Sequence, residues 1–488
     1  MGVYKQLFQN TFLYGVASVV PRMLSVILVP FYTGILANTS FGEYSIVFAY
    51  FVIFNVILTY GMETAFFRFY NKERDKAKVT QTANWSIIFT TVAFVCIGFL
   101  LFEQIQSFTQ IKAKILQLVI WILAFDVLAI IPFAWLRANN KPLQFTVIKI
   151  INVSINLGLN VFLIYLLPKL VGRYLFLEAI YIPNYEVEYI FWSLFVASTT
   201  TLLLLSGFFR KLKWSFDKQL WKSMMKYALP ILVAGVAFSI NEVMDRLLLE
   251  RILPANIAKE QIGIYSACYK LGMFITLFAT AFRLGIEPFF FSHASSKNPK
   301  KAYALITKYF LIVGAAILLV VLVFIDPLKK LIIRDESYWE AMQIVPIILV
   351  ANLFLGMYHN FSVWYKVTDK TKYGAYISSF GAISTIVLNL WLIPKIGYVG
   401  SAIATLFAYA SMAVLSYFIG KKHYAVPYAM GKIITYLSVS ILFSVLSFYV
   451  FSGNYYIGIG FILVFSSLVY VFEKQEIIHI FKMDKNEN

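Results

Sequence analysis

Apolar runs of about 20 residues recur along the whole chain, the length a helix needs to cross the roughly 30 Å hydrocarbon core of a bilayer. Inside lipid every backbone N–H and C=O must find its partner within the protein, so only helices and closed barrels can span. Runs of this length suit helices; barrel strands need only about ten residues. Fourteen spans are expected, near 10–36, 43–66, 82–102, 115–136, 144–167, 189–209, 225–250, 263–291, 303–325, 342–364, 374–393, 398–419, 433–452 and 455–472. The composition agrees. Of 488 residues, 60% are hydrophobic and 14% charged, whereas a soluble domain carries about a quarter charged residues. The chain therefore reads as an all-α polytopic membrane protein.

Met1 to Asn10 is short and polar, and the first run continues without a small-residue cleavage site, so no cleavable signal peptide is expected. The net charge of +18 would suggest nucleic acid as a partner of a soluble chain. Here it serves orientation, and no nucleic acid is expected. With the N-terminus inside, the cytoplasmic segments hold about 25 Lys and Arg, against about 10 in the outer loops. Both termini are thus expected in the cytoplasm. Cys96 and Cys268 lie in apolar runs and the four histidines have no ligand spacing, so neither a disulfide, a metal nor a cofactor is expected. The loops are too short for a soluble catalytic domain, and the polar tail from Glu473 to Asn488 is expected to fray.

One internal repeat is visible. Phe41-Gly42-Glu43-Tyr44-Ser45 opens the second span and Ile262-Gly263-Ile264-Tyr265-Ser266 opens the eighth. Six spans separate the copies, which keeps their topology parallel and predicts two six-helix lobes related about an axis normal to the membrane. The lobes are residues 1–222 and 223–432, with 433–488 holding two further helices and the tail.

Charged residues inside a span are costly and commonly line a wet cavity. Polar residues four apart share a helix face, and several such stripes occur: Tyr14, Ser18, Arg22 and Ser25; Asn55, Thr59 and Glu63; Lys149, Asn152, Asn156 and Asn160. Asn241 pairs in register with Asp245, and Glu242 with Arg246, in the favourable order for an ion pair. Arg283 stands four before Glu287, and Lys270 lies roughly 10 Å into its span. Arg22, Lys270, Arg246, Lys149, Asn55, Asn152, Asn156 and Asn241 are candidates for a cavity that receives an anionic substrate. Glu63, Asp126, Glu242, Asp245, Arg283 and Glu287 are candidates for ion coupling or gating. The plainer readings are hydrogen bonds between helices for the asparagines and snorkelling at span ends for the cations, Lys308 among them.

The fragments Asn-Glu-Val-Met-Asp-Arg-Leu-Leu-Leu from 241, Gly-Ile-Tyr-Ser-Ala-Cys-Tyr-Lys-Leu from 263 and Ala-Phe-Arg-Leu-Gly-Ile-Glu-Pro-Phe-Phe-Phe from 281 resemble the polysaccharide transporters, or Wzx-type oligosaccharide flippases, of the multidrug/oligosaccharidyl-lipid/polysaccharide (MOP) superfamily. The resemblance implies two lobes around a central cavity, and a sugar cargo on which Tyr44 and Tyr265 could stack, helix packing being their plainer role. It implies movement of a polyprenyl-diphosphate-linked oligosaccharide, destined for O-antigen, capsule or exopolysaccharide, across the bacterial cytoplasmic (inner) membrane. Its implied partners are that lipid-linked cargo, membrane lipid and other polysaccharide-assembly proteins. A lipid II flippase and a multidrug or cation antiporter of the same fold stay open as alternatives. A membrane glycosyltransferase, to which Glu186-x-Glu188 could lend a metal motif, stays open as well.

Overall fold

The computed structural model describes residues 27–292, 298–368 and 370–486; at 175, 284–285, 287–292 and 477–486 only the backbone is described. The described residues are mostly helical, and no strand occurs among them. Thirteen helices among them are long and apolar enough to span a membrane. They are α1 (Asn38–Lys72), α2 (Lys76–Leu100), α3 (Ala113–Ala138), α4 (Pro142–Leu170), α5 (Glu186–Leu204), α6 (Lys218–Ile252), α7 (Ala255–Arg283), α8 (Pro299–Val323), α9 (Glu336–Val367), α10 (Lys372–Ile396), α11 (Tyr398–His423), α12 (Met430–Val450) and α13 (Tyr455–Glu476). They correspond to the second through fourteenth expected spans; most of the first lies outside the described residues.

Acidic caps start helices where they leave the apolar zone. The Asp75 carboxylate accepts the Lys78 N–H at 3.0 Å, and Asp217 accepts those of Gln219 and Leu220 at 2.8 and 2.9 Å. Each satisfies amides that the first turn leaves without a helical partner.

Packing divides the chain into two compact units, 1–266 and 267–488. In the first unit α1 packs along α6, and α5 along α3 and α4. The two copies of the repeat meet here. A Cβ on Gly42 would collide with the Lys259 carbonyl, and one on Gly263 would collide with the Asn38 carbonyl. Each glycine thus faces the backbone four residues before the other, a reciprocal crossing that only hydrogen at both positions permits. A second close approach breaks α1: Tyr60 and Gly61 both have positive φ, and a Cβ on Gly61 would lie 2.8 Å from the Ala228 carbonyl.

In the second unit α11 packs closely on α9 and α10. Its buried face is largely small residues, among them Gly400, Ala404, Ala408, Ala413 and Gly420, which let helices approach where lipid offers no hydrophobic drive. The buried Trp364 fills the space over Gly420 and donates its indole N–H to the Ser416 carbonyl at 3.1 Å. The last two spans belong to this unit, because α12 and α13 both pack on α8.

The tail departs from expectation. Helix continues from Tyr455 to Asn486, and Glu473, expected in a frayed tail, is fully buried. Lys308 is 3% exposed and does not snorkel. Its ammonium lies 2.5 Å from Glu473 and also pairs with Glu476. Tyr436 donates to Glu473 at 2.6 Å, and Lys432 approaches it at 3.0 Å. Two charges buried this way are tolerable only because each finds an opposite partner and further hydrogen bonds.

Candidate functional site

In the first unit the polar residues of α4 hold helices together. Asn152 donates to the Thr201 hydroxyl at 2.9 Å. Asn160 donates to the Asn156 side chain at 2.8 Å and accepts from the Tyr32 hydroxyl, also at 2.8 Å. Asn152 and Asn156 therefore serve as interhelical and intrahelical glue. Lys149 is half-buried, with its ammonium 4.3 Å from the centre of the Phe133 ring. Its charge also acts on Asp126, which accepts a 2.6 Å bond from Ser198. Asp126 thus has a cation and a hydroxyl for neighbours. Asn55 is half-buried on α1. Glu63 pairs with Arg137, whose guanidinium lies over the Phe67 and Phe145 rings.

The charged turn of α6 folds differently from its expected pairing. Arg246 does not reach the Glu242 carboxylate; it donates to the Glu242 main-chain carbonyl at 2.6 Å and to the Asp245 carboxylate at 2.9 Å. Tyr265 donates to the other Asp245 oxygen at 2.5 Å. Asp245, Arg246, Tyr265 and Asn241 are all buried, whereas Glu242 is exposed. The reason is geometric: the short Asp245 side chain is already held by Tyr265, and the longer guanidinium folds back along its own helix to meet it. Tyr265 offers no open ring face to a sugar, and Tyr44 packs among Tyr32, Phe41, Phe48 and Phe191.

Sequence reasoning missed a second cluster in this unit. Lys112 stands between Glu188 at 3.0 Å and Glu43 at 3.5 Å. One oxygen of each carboxylate is buried with no hydrogen-bond partner. Burial opposes charge on Lys112, but the two carboxylates outweigh it and hold the ammonium above its ordinary range. Glu188, the second acid of Glu186-x-Glu188, is thus occupied by a lysine. Three residues from three helix starts cannot be grouped by periodicity, so only the expectation that all three lie at outer ends hinted at their meeting.

In the second unit α7 is interrupted. A single 3₁₀ turn, Lys270–Gly272, separates helix Ala255–Tyr269 from helix Met273–Ser292. Asn352 of α9 donates to the Gly272 carbonyl at 3.1 Å, satisfying a backbone group at membrane depth. Lys270 is half-buried at this break and has partners in the fold. Toward the other end of the helix, Arg283, His359, Asn360 and Lys366 line a cavity of about 20 Å³, close to the size of one water. The charges of Arg283 and Lys366 both act on His359; His359 and Lys366 have further partners in the fold, and among the described residues the lining includes no acid. His359 and Lys366 were not foreseen. Arg22 lies outside the described residues, as does the side chain of Glu287, so the Arg283–Glu287 pairing is proposed and not described.

These features define a class: a multi-pass helical membrane protein whose spans carry buried cations and a broken helix. The chain belongs to the polysaccharide biosynthesis protein family, whose model matches residues 7–284. A MatE family model matches residues 230–391. Among solved structures, a lipid II flippase MurJ in an inward closed conformation is similar, with TM-score 0.72 and 16% identity over 94% of this chain and 99% of that one. An inward-facing multidrug resistance MATE transporter of the MOP superfamily gives TM-score 0.64 and 13% identity over 87% and 98%. A MOP superfamily transporter from Pyrococcus furiosus gives 0.61 and 12% over 86% and 95%. No curated protein matches in sequence. The fold is that of the MOP transporters, and the families matched are transporters and flippases.

Proposed function

We propose that the protein moves a polyprenyl-diphosphate-linked oligosaccharide, the repeat unit of a surface polysaccharide, from the cytoplasmic to the outer leaflet of a bacterial cytoplasmic membrane. Both termini are then cytoplasmic, residues 1–222 and 223–432 are the two repeats, and 433–488 is an addition to the second. The reciprocal packing of Gly42 and Gly263 supports that repeat. The carrying observation is the match of the polysaccharide biosynthesis family model to residues 7–284. Arg283, His359 and Lys366 stand together around a space of one water; in a conformation that opens it, a diphosphate would gain charge-assisted hydrogen bonds there, strengthened by a low dielectric. Lys270 and Arg22 are proposed to extend the same cationic path. Moving each negative charge outward, with the inside negative, is favourable by about 2.3 kcal/mol per 100 mV.

A host lacking its own oligosaccharide flippase supplies the test. The wild-type chain restores surface polysaccharide, and Arg283→Ala with Lys366→Ala abolishes it at equal protein levels. Full restoration by that double variant, or by Arg22→Ala with Lys270→Ala, would sink the cationic path. The similarity to a lipid II flippase motivates a second arm. Rescue of a strain depleted of that flippase, without polysaccharide restoration, would reassign the cargo. Drug resistance conferred on a pump-deficient host would favour the antiporter.

A further inference from the structure

One cavity of the first unit has no part in the proposed path. It holds about 830 Å³, within the range that ligands of drug size and above occupy. It lies between the ends of α2, α3, α4 and α5 that the Lys/Arg distribution assigns to the cytoplasm. Lys76, Lys141 and Lys211 contribute to its wall, and all three are exposed. Lys76 lies 5.2 Å from the centre of the Tyr70 ring and Lys141 lies 4.7 Å from that of Trp135. None of the three pairs with a carboxylate among the described residues. Each comes from beside a helix end, so the ammonium groups gather at one level.

Below them the wall is apolar. Leu143, Val147 and Ile151 follow one another at four-residue intervals on α4, and Leu204 ends α5 beside them. Leu143 is 63% exposed and Val147 45% exposed. From Lys141 to Ile151 the slot runs about 15 Å along the helix axis. Cations at the headgroup level with an open greasy channel beneath describe an anionic amphiphile. A free anion would leave the channel empty, and a neutral lipid would leave the lysines without partners.

We propose that this pocket binds an anionic glycerophospholipid of the cytoplasmic leaflet, its phosphate on Lys76, Lys141 and Lys211 and one acyl chain along Leu143, Val147 and Ile151. Gln81 and Gln144 on the same wall supply hydrogen bonds to the glycerol and headgroup. This is a lateral lipid site, and it holds whatever the cargo proves to be.

Native mass spectrometry of the full chain in mild detergent tests it, with phosphatidylglycerol, phosphatidylcholine and inorganic phosphate as probes. The wild type retains phosphatidylglycerol in preference to phosphatidylcholine. Lys76→Ala with Lys141→Ala and Lys211→Ala weakens that retention about 100-fold, from roughly fivefold per lysine at a membrane surface. The matching triple change to arginine preserves it, which separates loss of charge from loss of fold. Val147→Trp keeps every charge, fills the slot and also expels the lipid. Equal retention of the two lipids, or an unchanged triple alanine variant, would overturn the proposal. Competition by millimolar inorganic phosphate would make this a free-anion site instead. Displacement by a polyprenyl diphosphate, but not by phosphatidylglycerol, would make it a cargo site, and the phospholipid assignment would fail.

Discussion

Replacing Gly42 or Gly263 by alanine is the sharpest test of how the repeat packs. At either position the added methyl meets a main-chain carbonyl of the facing helix, Lys259 or Asn38 respectively, well inside van der Waals contact, and lies 3.1 Å from the other glycine's nitrogen. A flexible side chain could swing away, but a carbonyl held in a helix cannot, so the two helices must separate. Overpacking of a tight interior costs about 1–3 kcal/mol, and a backbone obstacle places each substitution near the upper end. The double variant should cost about 3–4 kcal/mol rather than 6, because one separation accommodates both methyls. Gly158 and Gly207 have open space where a Cβ would go, so their alanine variants should change stability by no more than about 1 kcal/mol. Thermal melting in detergent, read by the fraction of monodisperse protein remaining, orders the variants without requiring two-state behaviour. Strict additivity of the two changes, or equal melting of Gly42→Ala and Gly158→Ala, would refute the reciprocal crossing.

Three other outcomes follow from the charged clusters. Lys112→Met leaves Glu43 and Glu188 facing each other; with the lysine side chain 49% exposed, it should destabilise by about 1–2 kcal/mol, between an exposed and a buried pair. Adding Glu43→Gln should recover part of that loss, and a double variant that melts no later than Lys112→Met would contradict it. Lys308→Met strands the buried Glu473 carboxylate and should cost about 3–5 kcal/mol, whereas adding Glu473→Gln should recover part of it; proteolysis between α11 and α12 reports whether the last two spans loosen. The Lys78 ammonium, 2.5 Å away, and the capped amides hold the Asp217 carboxyl below its ordinary range. That group's contribution is therefore present above the unfolded Asp pKa of about 3.9 and lost as pH falls through the lower folded value. Asp217→Asn should melt earlier than wild type at pH 7 and approach it as pH falls below the unfolded Asp range, and parallel melting curves on acidification would argue against the pair.

Much of the fold was legible in the residues because the bilayer imposes a one-dimensional constraint. Each span must carry its own backbone hydrogen bonds over a set length, so runs of apolar residues mark helices directly. The break at Lys270 was not legible, because it depends on Asn352 from another span accepting the role of backbone partner. The tail was misjudged for a related reason: Glu473 looks solvent-bound in isolation and becomes buried only because Lys308 and Lys432 wait for it.

Periodicity says which residues share a face, and on α4 it grouped Lys149, Asn152, Asn156 and Asn160 correctly, yet it does not say what that face meets. Their partners Tyr32 and Thr201 stand 128 and 49 residues away. The sequence by itself therefore determined the helical, many-times-crossing class and the family. Tertiary packing alone decided which charge meets which, turning Arg246 from Glu242 to Asp245, setting Lys112 between two acids and gathering Arg283, His359 and Lys366. Electrostatic and hydrogen-bond energies fall off within a few ångströms, and distances that short between separate helices exist only once the helices have packed.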